Sequence, residues 1–527
     1  MLILKQILLA SILVFLCVAL HAQSPVLVPD FNPPGDDSFD GYEMHAQTLG
    51  DRIVMAIQSD EFGSEPAVVE NDEIVLLKDI NEGPESSNPT GFVKFNDKLY
   101  FSAFDETNGY GLWHTDGTTS GTELVFALGP EVRHRAEGLI VSDLGHLYFT
   151  SNSILYRTDG NGKEIMFEGV DFNETIEERS HNYALFDGEV AFVRLFNNRI
   201  EFYSVDGDSV VLGGTSLEIP VNGQFFGLNQ VENGMIFGMR VIPFSSPYQR
   251  TYIFNRNTER VANIELANSN ARRIQDFNTD LSLVWVEGEG YFITDGRPWT
   301  ETKIVNSSNT SYLQGLPIHH ATYNDHIAFV AQTGGFFGPQ YIYISDGTAE
   351  GTHRRNEVRS SRSDMISRGS HAFIASGTSN GFTPELYHIN LKEGSSNLLH
   401  TFNQPSLQLN SVQMVAIHQD RLYYTSNLDQ SMGRKLYYME LDVLSSDLTL
   451  GTQSPDLNAF ITSHTYQLKS ANTENYRFEI FDMAGRLLEE GIRSTNKDYS
   501  YSHLQGLHIL RFTLNEKSLT KKVFSHH

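Results

Sequence analysis

Four pieces of sequence decide the reading of this chain: Leu99-Tyr100-Phe101, Gly111-Leu112-Trp113-His114-Thr115, Asp116-Gly117 and Glu123-Leu124-Val125-Phe126. An aromatic run is followed by a variable loop, a second apolar run that stops at Asp-Gly, and a third apolar run. Tight antiparallel turns need positive φ, which Gly, Asn and Asp tolerate best, so Asp116-Gly117 separates two strands. Upstream, Gly91-Phe92-Val93-Lys94-Phe95 adds another short strand, joined through Asn96-Asp97. The unit therefore predicts four short strands in succession.

The pattern recurs along the chain. Aromatic or apolar runs begin at Arg52, Lys98, His146, Glu189, Gly234, Ser282, His326, His371 and Arg421. From Met55 to Tyr424 the equivalent positions are 46, 48, 43, 45, 48, 44, 45 and 50 residues apart. Turn candidates precede them, among them Asp187-Gly188, Asn233-Gly234 and Asn324-Asp325, and Asp-Gly returns at Asp159, Asp206, Asp295 and Asp346. Four short strands every ~45 residues is the signature of a β-propeller, and no long helical period competes with it. The expectation is an all-β chain: a propeller of about eight four-stranded blades (seven to nine) over residues 40–450, followed by a small β-sandwich over 453–527. Nine units fit the sequence, and eight blades are expected because terminal strands often combine into one blade. Two smaller propellers or an open β-solenoid is the alternative.

Two stretches resemble known families. Gly111 to Thr118, followed by Ser120-Gly121-Thr122-Glu123, resembles the ELWxxDGT repeat of secreted bacterial proteins. Tyr341 to Thr348, with Glu350-Gly351-Thr352, is a second copy, and Ile154 to Gly160 is a partial one with Asn161 in place of Thr. Leu77-Lys78-Asp79-Ile80-Asn81 and Ser86-Ser87-Asn88-Pro89 are similar to the stretch that follows such a repeat. This resemblance implies repeated β-structure and secretion, and no catalytic residue. The last ~75 residues resemble the type A C-terminal sorting domain of the type IX secretion system. The matching stretches are Phe478 to Leu488, containing Asp482, Gly485 and Arg486, then Leu504 to Arg511 with Gly506, and the basic end with Lys521 and Lys522. Ser454-Pro455-Asp456 stands near the place of the usual Tyr-Pro-Asn-Pro opening, and His508 where a Tyr is common. This resemblance implies a Bacteroidetes-type bacterium, the type IX machinery as a partner, export across the outer membrane and removal of the domain on arrival.

Residues 1–22 read as a secretory signal peptide: Lys5 supplies the positive end, Ile7 to Leu20 the apolar segment, and Leu20-His21-Ala22 a small residue before the cut. Fourteen apolar residues are short for a bilayer of ~30 Å, and bulky Val14-Phe15-Leu16 before Cys17 argues against lipidation. Cys17 is the one cysteine of the chain, so the mature protein has no disulfide and no thiolate chemistry. No later segment reaches 18 consecutive apolar residues, so no transmembrane span is expected in the mature chain.

Composition narrows the partners. With 38 Lys+Arg against 65 Asp+Glu the net charge is −27, which repels phosphate backbones, and nucleic acid is not an expected partner. His319, His320 and His326 form the densest histidine group, but neighbours on a strand point to opposite faces and a third ligand is missing. The Asp-Gly turns lack the alternating oxygen ligands of a calcium loop, of which Asp206-Gly207-Asp208 comes nearest. No metal or other cofactor is expected. No Gly-x-Ser-x-Gly, His-Glu-x-x-His or phosphate-binding Gly-rich loop is present, so no catalytic residue is assigned.

Long second-to-third-strand loops carry Tyr110, Phe244, Tyr248, Phe336, Phe337 and Phe382. Aromatic rings amid Gly, Ser and Asn suit sugar stacking or protein contact, or else cap the blade edges. The functional expectation is a secreted or outer-membrane cell-surface binding protein without catalysis, for a glycan or a surface-protein ligand. A secreted polysaccharide hydrolase or lyase with acids at the propeller centre is the first alternative, and a structural surface protein the second.

Overall fold

The computed structural model describes residues 24–39, 46–169, 183–217, 223–241, 248–264, 271–278, 280–286, 290–297, 302–306, 320–332, 340–360, 365–376, 385–402, 412–428 and 431–441, and in the C-terminal part the strands from 458 to 525. Chain contacts divide it into two compact units, one spanning His21–Glu440 and one taking in Leu441–His527. Among the described residues no helix is long and apolar enough to cross a membrane.

The first unit is a propeller of nine four-stranded antiparallel blades. In chain order they occupy 46–76, 90–129, 137–168, 183–215, 223–264, 271–306, 320–360, 365–401 and 412–440. The count lies at the top of the expected range because no repeat unit is absorbed into another. The last blade supplies its own three strands, and Val26–Leu27 adds the outermost, pairing Val26 with Tyr438 and Leu27 with Tyr437. The N-terminal strand thus lies before residue 40, where the sequence reading began the propeller. Blades 4 and 5 also touch through one parallel bridge, Thr215 to Arg260.

Within each blade the strands follow chain order from the centre outward, save for the outermost strand of the last, and the second is the aromatic or apolar one. It lies between the first and third, with a neighbouring blade on each face, so both of its faces want apolar side chains. In the strand Lys98–Asp105, Leu99 and Phe101 pack with Leu49, Val54 and Val68 of blade 1. Tyr100, between them, packs with Leu147 and Phe149 of blade 3. The core is therefore a ring of wedges between blades. The last wedge joins Tyr423, Leu436 and Tyr438 of blade 9 to Ile53, Met55 and Val69 of blade 1, closing the circle.

The Asp-Gly turns join a blade's third and fourth strands and meet the preceding blade. Gly117 (φ 85°) would place a Cβ 3.1 Å from the Arg52 Cδ, and Gly296 (φ 84°) one 2.6 Å from the Ile253 Cδ1. Both backbone conformation and packing exclude a side chain there. Arg52 donates to the Gly117 carbonyl at 3.3 Å, Asn96 to the Asp159 carbonyl at 3.1 Å, and Arg157 to the Gly207 carbonyl at 2.7 Å. Arg421 of blade 9 pairs with Asp72 of blade 1 and with Glu440 at 2.8 Å, continuing the stitching across the closure.

In the full repeat copies the turn is self-satisfied. Thr118 donates its amide (2.9 Å) and hydroxyl (2.6 Å) to Asp116 Oδ1, the Gly121 amide donates to Thr118 Oγ1 (3.0 Å), and Thr115 and Thr122 share a hydroxyl bond of 2.8 Å. Asp346, Thr348, Gly351, Ser345 and Thr352 repeat every one of these bonds. A Cβ on Gly121 or Gly351 would fall 2.0 Å from the aspartate Oδ1, so the second Gly of each copy makes room for the carboxylate. In the partial copy Asn161 bonds Asp159 through its amide at 2.9 Å, and the turn is shorter.

The C-terminal unit carries two antiparallel sheets. One has the strands 458–461, 465–469 and 498–500; the other has 475–481 at its interior beside 487–494 and 506–514, with 517–525 outermost. Gly506 opens the strand Gly506–Leu514, and Lys521 and Lys522 lie in Lys517–Ser525 opposite Leu510 and Ile509. Asp482, Gly485 and Arg486 lie outside the described residues, as do residues 1–23.

Candidate functional site

The first strands of successive blades line the centre of the ring. Where those of blade 8 (Met365–Arg368), blade 9 (Val412–His418) and blade 1 (Ala46–Leu49) come together, they line an open cavity of about 680 Å³. Ala416, Val415 and Ile366 contribute apolar side chains to its lining, while Gln47, Thr48, Ser367, Arg368 and His418 bring amide, hydroxyl, guanidinium and imidazole groups. The size and the mixed lining are those of a small-molecule site. Among the described residues no lining residue is a carboxylate.

The cavity opens among the turns that join first and second strands. Those turns carry an acid in eight of the nine blades, from Asp51 in blade 1 to Asp420 in blade 9. The exception is blade 8, whose turn is Gly369-Ser370 and whose first strand ends in Arg368. Arg368 is exposed, and its one hydrogen bond among the described residues goes to the Gln419 carbonyl of blade 9. His418 is half-buried, with Nε2 shut off from solvent and without a partner.

Of the aromatic residues expected to bind ligand, Phe244, Phe336, Phe337 and Phe382 lie outside the described residues, and Tyr248 begins the strand Tyr248–Asn255. Tyr110 belongs to a strand, Gly109–Thr115, rather than to a long loop. Asp105 accepts bonds from the Thr107 and Asn108 amides at 2.9 and 2.7 Å, a tight turn that lets the strands run on to Tyr110. The half-buried Tyr110 ring lies edge-on to Phe104 at 5.1 Å, with the Arg135 guanidinium 5.7 Å away. Those contacts are blade-edge packing. His319 is outside the described residues. His320 pairs with Phe329 and His326 with Tyr323, so an odd number of positions separates them and they face opposite sides of the sheet.

Among the buried ionisable groups, two that went unnoticed in the sequence stand at equivalent places. Both occupy the same register position, two residues before the third-strand aromatic or its equivalent: Glu65 opposite Ile57, and Lys435 opposite Ser426. Glu65 accepts from the Ile80 amide (2.9 Å), the Ser87 amide (2.7 Å) and the Ser87 hydroxyl (2.7 Å), pinning the link from blade 1 to blade 2. Burial, with Asp79 nearby, outweighs those bonds and pushes its carboxyl up to about 7. Lys435 pairs with Asp30 at 3.0 Å, both almost fully buried, and so pins the segment that leads from blade 9 into blade 1. Alignment of the repeats by register was the signal available for them.

No family model and no curated protein matches the chain. Solved structures similar to it include an oligogalacturonate lyase in complex with manganese, with 11% identity over 76% of this chain and 99% of that one and a TM-score of 0.39. The Porphyromonas gingivalis dipeptidyl peptidase 4 gives 12% identity over 81% of this chain and 65% of that one, with a TM-score of 0.42. TolB from Acinetobacter baumannii gives 12% identity over 57% and 79%, with a TM-score of 0.25.

Proposed function

We propose that this chain is a secreted or cell-surface propeller that binds a small ligand or the end of a glycan without catalysis, exported by the type IX secretion system. The observation that carries the binding reading is the cavity between blades 8, 9 and 1. Its described lining residues offer amide, hydroxyl, imidazole and guanidinium groups beside apolar side chains, and none of them is a carboxylate that could serve as acid, base or nucleophile. The described first strands hold two acids, Glu137 in blade 3 and Asp276 in blade 6, with two blades between them. The repeat motif, the N-terminal signal and the C-terminal sorting resemblance support the export reading.

The test is the thermal midpoint of the purified protein against a panel of glycans, with product analysis. A ligand present at 100 times its dissociation constant adds about 2.7 kcal/mol. A shift with one glycan and no released oligosaccharide is the expected result; released product would replace the binding reading with hydrolysis or elimination, and no shift with any glycan would remove the glycan.

A further inference from the structure

We infer that the cavity selects a ligand by a single negative charge, seated on Arg368: a small carboxylate such as an acidic monosaccharide. The inference rests on the binding reading above and names the ligand class. Three observations combine. First, in a chain with a net charge of −27, the described residues of this lining include one guanidinium and no acid. Second, the surrounding rim of turns is acidic in every blade except the one that bears Arg368. Third, Arg368 is exposed and has no acidic partner among the described residues, its one bond there going to a carbonyl.

An arginine fork is suited to a carboxylate because its parallel N–H groups match both oxygens. Ser367 and Thr48 offer hydroxyls, and Gln47 an amide, for the rest of a polyhydroxyl ligand, and Val415 and Ala416 add apolar surface to the same lining. Asp51 and Asp420, each one residue beyond a lining residue, set the other half of the selectivity. A long polyanion would have to lie across them and be repelled, whereas a small ligand with one charge reaches Arg368 between them.

The experiment is calorimetric titration of the full chain with glucuronate, glucose and dextran sulfate, repeated on Arg368→Gln and Arg368→Lys. Glucuronate should bind roughly tenfold or more tightly than glucose, as expected for a charge-assisted pair, and better than dextran sulfate per site. Arg368→Gln should erase the preference, and Arg368→Lys, which keeps the charge but not the fork, should keep only part of it, which separates loss of charge from loss of the contact to blade 9. Equal binding of glucose and glucuronate, or a preference that survives Arg368→Gln, overturns the charge inference and leaves the binding reading standing. Binding of none of the three overturns this inference too, while the glycan panel still decides the broader reading.

Discussion

Replacing Lys435 with Met should loosen the closure of the ring. Asp30 Oδ1 accepts from Lys435 Nζ at 3.0 Å and from the Asn32 amide at 2.9 Å, while Oδ2 accepts from the Ser38 hydroxyl at 2.7 Å. Lys435 also bonds Ser38 Oγ at 3.0 Å. The pair lies under a strap that bonds both sides of the closure. The Val28 amide donates to the Leu436 carbonyl and the Ser38 amide to the Arg434 carbonyl in blade 9, while the Gln58 and Ile74 amides of blade 1 donate to the Ser38 and Pro29 carbonyls. With Lys435 gone, Asp30 keeps two hydrogen bonds but no counter-charge in a site where its side chain is 2% exposed. Breaking a buried pair from one side costs about 3–5 kcal/mol. For a unit spanning residues 21–440, an unfolding entropy of roughly 2 cal/mol/K per residue converts this to a fall in Tm of roughly 3–6 °C. Differential scanning calorimetry gives the shift, and hydrogen exchange at Val28 and Ser38 shows whether the strap is the part that opens. The double variant Asp30→Leu with Lys435→Met should recover most of the loss, because an apolar pair needs no counter-charge. A single-variant shift below about 1 °C, or a double variant worse than the single, would refute the reasoning.

Other tests follow from the same geometry. Asp72→Ala removes a partly exposed ion pair at the same closure, and equilibrium unfolding should register a loss of less than about 1 kcal/mol that shrinks with added salt. Gly121→Ala should cost about 1–2 kcal/mol as Asp116 is displaced from Thr118, whereas Gly162→Ala, with nothing within 4 Å of the added carbon, should leave Tm nearly unchanged. Glu65 has a folded pKa of about 7 against 4.5 for the free group. Its contribution is therefore complete below pH ~4.5 and is lost as pH rises through ~7, by about 3 kcal/mol at most. The difference in Tm between wild type and Glu65→Gln, followed from pH 4.5 to 8, should change in that direction; a flat difference would contradict the assigned burial effect. Because the Asp116 and Asp346 carboxylates already accept hydrogen bonds from Thr118 and Thr348, chelator should not move Tm, and a large EDTA effect would show that these turns hold calcium.

Much of the fold was legible because a propeller writes its geometry into short stretches. The second strand of each blade is covered on both faces, so it appears as Leu99-Tyr100-Phe101 or Leu147-Tyr148-Phe149 with a regular period. The turns need positive φ, so they appear as Asp-Gly or Asn-Asp. The repeat motif itself has a local explanation, since Asp116, Thr118, Gly121 and Thr122 satisfy one another within seven residues.

Other features depended on the tertiary structure because their parts lie far apart in the chain. The blade count became nine when Val26–Leu27 completed the last blade, more than 400 residues away along the chain; the sequence showed nine units and could not say which termini would merge. Tyr110 left its loop because Asp105 closes a turn of three residues, a hydrogen-bonding detail without a composition signal. The cavity draws on residues near 47, 367 and 416, which only ring closure brings side by side. Glu65 and Lys435 looked like ordinary surface charges until the links they anchor were folded over them. Local periodicity and turn chemistry therefore determined the architecture from sequence alone, whereas ring closure decided the cavity and the Lys435–Asp30 pair, and the link from blade 1 to blade 2 buried Glu65.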